Sequence, residues 1–337
     1  MVRTGLQVLG LSLVALAVPF VSAAPARAAN VSCQVRSGGA GGAEGNVLEI
    51  LDSSDSVTHI DREGDEIVIS NNADEGPAVC ARAVPTVHNI DRIEYTTESG
   101  VPFINYHGDG PLGPGATDEP GGDEIEIVVV ESYDPKVVNL GGTPEADRIE
   151  IGQRNRRVGI NLNAQADGGS PDADLTVPLG KGEHVFLRVI GRDGDDEIGA
   201  LGFAGFPEPV LAAEQLVMTG GPGDDVLRGG PTRDALSGND GNDELLGGRG
   251  NDKLVVGPGR DLAKGGKGDD SIENRSDVGG IDADLLPDRI LGGAGNDRID
   301  VGQQLSGDRV DCGAGRRDEV FKDAGDISLH CETTDFR

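Results

Sequence analysis

From Gly220 onward the chain repeats every nine residues, and that period limits its fold more than any other feature of the sequence. The contiguous units are GGPGDDVLR, GGPTRDALS, GNDGNDELL, GGRGNDKLV, VGPGRDLAK and GGKGDDSIE, ending at Glu273. The phase returns in GGAGNDRID from Gly292, 27 residues after the unit that opens at Gly265, so the intervening NRSDVGGID and ADLLPDRIL count as two degenerate units. Position six then carries Asp225, Asp234, Asp243, Asp252, Asp261, Asp270, Gly279, Asp288 and Asp297. Position eight carries Leu227, Leu236, Leu245, Leu254, Ala263, Ile272, Ile281, Ile290 and Ile299. A flexible Gly/Asp linker explains such a composition, but not an aliphatic side chain held in register with an aspartate.

Glycines at positions one, two and four permit positive φ and leave carbonyls unshielded, so this half of the unit is a tight turn whose backbone can approach an ion. The remainder is a very short strand with one inward aliphatic side chain. A single unit cannot bury that side chain, and stability requires neighbours stacked above and below. With two units per coil, same-side neighbours lie 18 residues apart and two parallel sheets enclose the Leu and Ile column. The expected fold is therefore all-β, a parallel β-roll or β-solenoid.

Stacking pairs Asp225 with Asp243, Asp234 with Asp252, Asp243 with Asp261 and Asp252 with Asp270. Like charges at that range need a cation between them. No His or Cys occurs between residues 220 and 300, so the ligands there are carboxylate and carbonyl oxygens. Such a set suits calcium better than zinc or copper, and magnesium prefers to keep its waters. Composition agrees. Asp plus Glu number 59 against 29 Lys plus Arg, a net charge of -30 that repels phosphate and anionic lipid and argues against a nucleic-acid partner. Hydrophobic residues at 36% exclude wholesale disorder.

The units follow the pattern G-G-x-G-x-D-x-U-x, and the stretch resembles the RTX, or hemolysin-type, calcium-binding family. The resemblance implies a parallel β-roll holding several calcium ions. Each ion would sit between the turns of adjacent same-side units, bound by Asp225, Asp234, Asp243, Asp252, Asp261 and Asp270 and by glycine-loop carbonyls, among them Gly220, Gly223, Gly238, Gly241, Gly247 and Gly250. Thr232 replaces a glycine, Val256 opens one unit, and residues 274 to 291 lack the glycine loop, which weakens the case for sites at Asp288 and Asp297. The tail from Asp308 to Glu332 keeps the character of the repeat and looks like the cysteine-closed ends of secreted actinobacterial RTX-repeat proteins. A polar end cap is what a solenoid needs.

Residues 1–28 read as a signal peptide: Arg3 in the n-region, an apolar run from Leu6 to Val21, and Ala26-Arg27-Ala28 as the cleavage site. No other long apolar segment suggests a membrane span, so a secreted, extracellular product is expected. Four cysteines in an exported chain give two disulfides with three possible connectivities, of which the sequence-near pairing is favoured, Cys33 with Cys80 and Cys312 with Cys331. Zinc is a poor reading without a C-x-x-C spacing.

Residues 29–210 carry a weaker motif, an aspartate followed by an alternating aliphatic strand, at Asp65, Asp91, Asp123, Asp147 and Asp196. They are expected to form longer, degenerate coils of the same solenoid, with loops such as 111–122 and 199–209 between them; a β-sandwich is the alternative. GRDGDDEIG at 191–199 fits the nonapeptide and offers Asp196, although no unit 18 residues away pairs with it. Residues 211–300 are then the calcium-binding β-roll and 301–337 its disulfide-closed cap.

Catalytic signatures are missing from the sequence: neither H-E-x-x-H nor G-x-S-x-G occurs, and His59, His88, His107, His184 and His330 share no ligand spacing. Acidic pairs such as Asp195/Asp196 arise by composition alone in a chain with 59 acids. The expected function is that of a secreted calcium-binding repeat protein without catalysis, folding or rigidifying in extracellular calcium. The alternatives are an adhesin or cell-surface matrix module that binds cell wall or extracellular polysaccharide, and a solenoid carbohydrate-acting enzyme in residues 30–210.

Overall fold

The computed structural model describes residues 31–36, 47–52, 57–63, 66–71, 80, 85, 92–97, 101–108, 126–131, 136–162, 173–210, 213–274, 286–302 and 307–336. The signal segment 1–28 and the loop 111–122 lie outside the described residues. Among the described residues there are 26 strands and no helix, arranged in a first sheet of 14 strands and a second of 12.

Each nine-residue unit is half a coil. Val226–Arg228 pairs in parallel with Glu244–Arg249 in the first sheet, and Asp234–Ser237 with Lys253–Val255 in the second. The 18-residue register sets Leu227 opposite Leu245 and Leu236 opposite Leu254. Because side chains alternate along a strand, a three-residue strand turns one inward and two outward. The inward residues stack into a single column: Ile198, Leu227, Leu245, Ala263, Ile290 and Val310 from the first sheet face Met218, Leu236, Leu254, Ile272, Ile299 and Val320 from the second, all 0–2% exposed. Each fully buried Leu or Ile contributes about 1.5–3 kcal/mol.

The stack departs from the nine-residue count between Glu273 and Arg289. There the register steps by 27 residues, setting Ala263 opposite Ile290 and Ile272 opposite Ile299. Of the two degenerate units, the second supplies positions six and eight, Asp288 and Ile290, while Asn274 of the first holds the place of position one. The extra nine residues fall between Asn274 and Asp288, where residues 275–285 lie outside the described residues. The 18-residue spacing would set Gly279 beside Asp297; the neighbour is instead Asp270.

Upstream, the same two sheets continue with longer strands. Val47–Asp52, Arg92–Thr97 and Glu126–Glu131 pair in parallel in the first sheet; Val57–Glu63, Val101–Gly108, Lys136–Gly141 and Val185–Ile190 do so in the second. A sandwich would use antiparallel ladders instead. Among the described residues, antiparallel strand pairing occurs in three places, besides an isolated bridge between Gln153 and Glu208. Arg148–Arg154, Arg157–Leu162 and Leu175–Pro178 form a meander within the first sheet. At the N-terminal end, Val31–Arg36 folds onto Val47–Asp52, and Val57–Glu63 onto Glu66–Asn71. Inside this thicker region Asp52 is fully buried and accepts hydrogen bonds from the Tyr95 hydroxyl at 2.7 Å and from Thr58 on the opposite sheet.

The disulfides join Cys33 to Cys80 and Cys312 to Cys331. Cys312 lies two residues after Val310 and is fully buried in the aliphatic column, while Cys331 precedes the last strand, Thr333–Phe336. The second bridge therefore ties a core strand of the first sheet to the link between the last two strands, Ile327–Leu329 and Thr333–Phe336. Closing a loop of about twenty residues should stabilise by roughly 3 kcal/mol. Cys331→Ser should accordingly speed hydrogen exchange first in Glu319–Lys322 and Thr333–Phe336, with the coils around Asp225 to Asp261 little changed, because solenoid stability is summed over neighbours. Uniform loss of protection along residues 220–300 would contradict this.

Candidate metal centre

The turns between strands stack as closely as their backbones allow. Gly223 and Gly241, both at position four, hold φ of +147° and +141°. A Cβ on Gly241 would lie 1.8 Å from the carbonyl oxygen of Gly223 in the coil before. Any side chain here is thus excluded twice, by φ and by the neighbouring loop. Gly241→Ala should destabilise by about 2 kcal/mol or more, lowering the melting temperature with and without metal.

Position one differs from the expectation of positive φ. Gly220, Gly238 and Gly265 do not adopt it; they leave room instead. A Cβ at these residues would lie 2.0, 2.2 and 2.4 Å from Oδ2 of Asp225, Asp243 and Asp270, the position-six aspartates of their own units. The glycine is a cradle for a carboxylate oxygen.

Each position-six aspartate stands immediately before a strand or opens it. Its Oδ1 accepts the backbone N–H of the corresponding aspartate one coil earlier: Asp243 from Asp225 at 2.8 Å, Asp252 from Asp234 at 2.9 Å, Asp261 from Asp243 at 2.7 Å, and Asp270 from Asp252 at 2.8 Å. These are the four pairs expected from the period, joined here by hydrogen bonds. The pattern extends well beyond them. A first row runs Asp147, Asp196, Asp225, Asp243, Asp261, Asp288, Asp308, Asp326, and a second runs Asp234, Asp252, Asp270, Asp297, Asp318, Glu332. Asp308, Asp318, Asp326 and Glu332 were missed from the sequence, although each aspartate precedes a short strand. Outside the first row a parallel ladder links Asp224 to Asp195 and Asn242 to Asp224. The Asn242 N–H groups hold the exposed Asp224 carboxyl below its ordinary range.

The second oxygen is what distinguishes the sites. Oδ2 of Asp196, Asp225, Asp243, Asp252, Asp270, Asp297 and Asp318 is buried with no hydrogen-bond partner. An ionised carboxylate so placed is strongly disfavoured. Burial, with neighbouring carboxylates adding to it, pushes Asp196, Asp225, Asp243, Asp252 and Asp270 up to about 7 and Asp297 up to about 6. Other members are served by the chain itself. Asp234 Oδ2 accepts the Gly230 N–H at 2.6 Å in the unit where Thr232 replaces a glycine, Asp147 Oδ2 accepts from Thr143 at 2.6 Å, and Asp326 Oδ2 accepts from Asp323 at 2.8 Å.

Among the described residues no three His, Cys, Asp or Glu side chains converge as a metal cluster. A cation at these turns would therefore draw on one or two carboxylates and on the carbonyls of the stacked loops. All-oxygen donors in a flexible loop fit a hard dication with six to eight ligands, as calcium is. The orphaned oxygens and their glycine cradles are consistent with that fit.

Comparison with protein-family models finds the RTX calcium-binding nonapeptide repeat in four copies, over residues 219–254, 255–273 and 287–304. The unmatched stretch after Glu273 coincides with the inserted period. A search of curated proteins and a search of solved structures each give no significant match.

Proposed function

We propose that this chain, whose residues 219–273 and 287–304 match RTX calcium-binding nonapeptide repeats, is a secreted, non-catalytic protein whose roll folds or rigidifies when it binds several calcium ions. The observation that carries the reading is the set of buried Oδ2 atoms without a hydrogen-bond partner at Asp225, Asp243, Asp252 and Asp270. These carboxylates, with Asp234 and Asp261, would hold the ions together with carbonyls of the loops containing Gly220, Gly223, Gly238, Gly241, Gly247 and Gly250. Bound calcium supplies the positive charge that two stacked carboxylates lack. The chain's own residues set the spacing, exclude water and keep side chains out of the cradle. Secretion is supported by the N-terminal apolar segment and by two disulfides, which persist in oxidising compartments. We read residues 29–210 as a degenerate solenoid leading into the roll at 211–300 and the cap at 301–337.

Titrating calcium into the purified mature chain, followed by circular dichroism and calorimetry, tests this. Strand signal and melting temperature should rise with calcium and little with the same concentration of magnesium. No response to calcium would refute the reading. The corrected register adds a sharper expectation. By the nine-residue count Asp297 would matter less than Asp243, but Asp297 is bonded to Asp270 on one side and Asp318 on the other. Asp297→Ala should therefore lower the number of bound ions as much as Asp243→Ala does, and a smaller loss would contradict the stack.

A further inference from the structure

We propose that Asn274 takes the place of a cation in the first row, ending the run of ion sites there, so that a glycine at 274 opens one more. The inference rests on the calcium reading of the rows above it. Asn274 stands two residues after the buried Ile272, the position that Gly220 occupies after Met218, Gly247 after Leu245 and Gly292 after Ile290. It is position one of the coil that leads to Asp288. Its backbone keeps the normal role, donating to the Asp300 carbonyl at 2.8 Å as Gly238 donates to Val255 at 3.0 Å. Its side chain does something no glycine can. Asn274 is 4% exposed, and its Nδ2 donates to Asp288 Oδ2 and reaches Asp308 Oδ2 at 3.5 Å.

Asp288 and Asp308 are consecutive members of the first row, linked by the Asp288 N–H to Asp308 Oδ1 at 2.9 Å. Higher in the row, Oδ2 of Asp196, Asp225 and Asp243 has no such donor. One primary amide carries two N–H groups and no acceptor on that nitrogen, so it can serve two carboxylate oxygens at once. At the next step down the row the chain again uses its own donor. Lys322, two residues after the buried Val320, is itself buried and directs Nζ to the Asp326 carbonyl at 2.6 Å. The second row provides an internal comparison at the same level of the roll. There Gly265 and Gly292 hold position one, and Oδ2 of Asp270 and Asp297 has no hydrogen-bond partner.

The test is the number of calcium ions bound by the full mature chain, by equilibrium dialysis and by calorimetric titration. Asn274→Gly should bind one ion more than the wild type, and adding Asp288→Asn to it should return the count to the wild-type value. Asn274→Asp keeps the side-chain size but places a third carboxylate against Asp288 and Asp308. It should melt at a lower temperature than the wild type in EDTA, recover in calcium, and also bind one extra ion; this variant decides the matter if the glycine variant does not fold. Folded variants that both bind the wild-type number of ions would overturn the assignment of Asn274 while leaving the calcium reading intact. A wild-type chain that binds no calcium would overturn both.

Discussion

Excess EDTA should lower the melting temperature of the mature chain steeply and abolish most of the strand signal of residues 220–300. Extracellular calcium modules bind with dissociation constants of about 0.1–1 mM. Calcium at ten times that value stabilises by about 1.4 kcal/mol per site. Four such sites contribute about 6 kcal/mol, comparable with the whole net stability of a domain. The upstream coils should suffer less. Arg92–Thr97 buries three of its six side chains, whereas Val226–Arg228 buries one of three and depends more heavily on what its turns bind. Hydrogen exchange in EDTA should show protection surviving in the long strands and vanishing in the short ones. An unchanged melting temperature and strand signal would sink the prediction.

Acidity should act in opposite directions on the two forms. In the metal-free chain, Asp196, Asp225, Asp243, Asp252 and Asp270 titrate at about 7, raised chiefly by burial, against about 3.9 for an unfolded aspartate. The folded form then binds more protons than the unfolded form between those values. Stability from this source is fully present below about pH 4 and is lost as pH rises through 7. The EDTA-treated chain should therefore melt at a higher temperature at pH 5 than at pH 8. Calcium binding needs the carboxylates ionised, so the calcium-loaded chain should weaken on the same acidification and release protons when it binds metal. Thermal melts at the two pH values with and without calcium check this; parallel trends in both forms would contradict it.

Most of the roll could be read from the period. An aliphatic residue every nine positions, too sparse for a self-sufficient core, required stacking, and the 18-residue register placed Leu227 on Leu245 as found. The extra nine residues between Asn274 and Asp288 escaped because they make one whole period, which leaves the phase of every later unit unchanged. The role of position one escaped for another reason. Positive φ is a property of the residue itself, but the space beside Asp225 Oδ2 is made by the fold, and no local rule reveals it. In the tail, Asp308, Asp318 and Asp326 keep the aspartate-before-strand signal, yet their spacings of 10 and 8 break the period that would have placed them in the row. Upstream, the meander from Arg148 to Pro178 inserts antiparallel strands between parallel neighbours, so no constant spacing survives there.

The bond from each aspartate carboxylate to the amide of its predecessor has one direction only. The Asp243 carboxylate braces the backbone at Asp225, and that of Asp261 braces Asp243; the coil that follows is held by the main chain instead, as Glu244 N–H is by the Asp225 carbonyl at 2.8 Å. Removing one carboxylate therefore loosens the coil before it more than the coil after it. The same polarity governs synthesis. As the chain emerges from N- to C-terminus, the newest coil lacks its carboxylate brace until the next has been made, and Asp326 and Glu332 in the tail supply the last brace of each row.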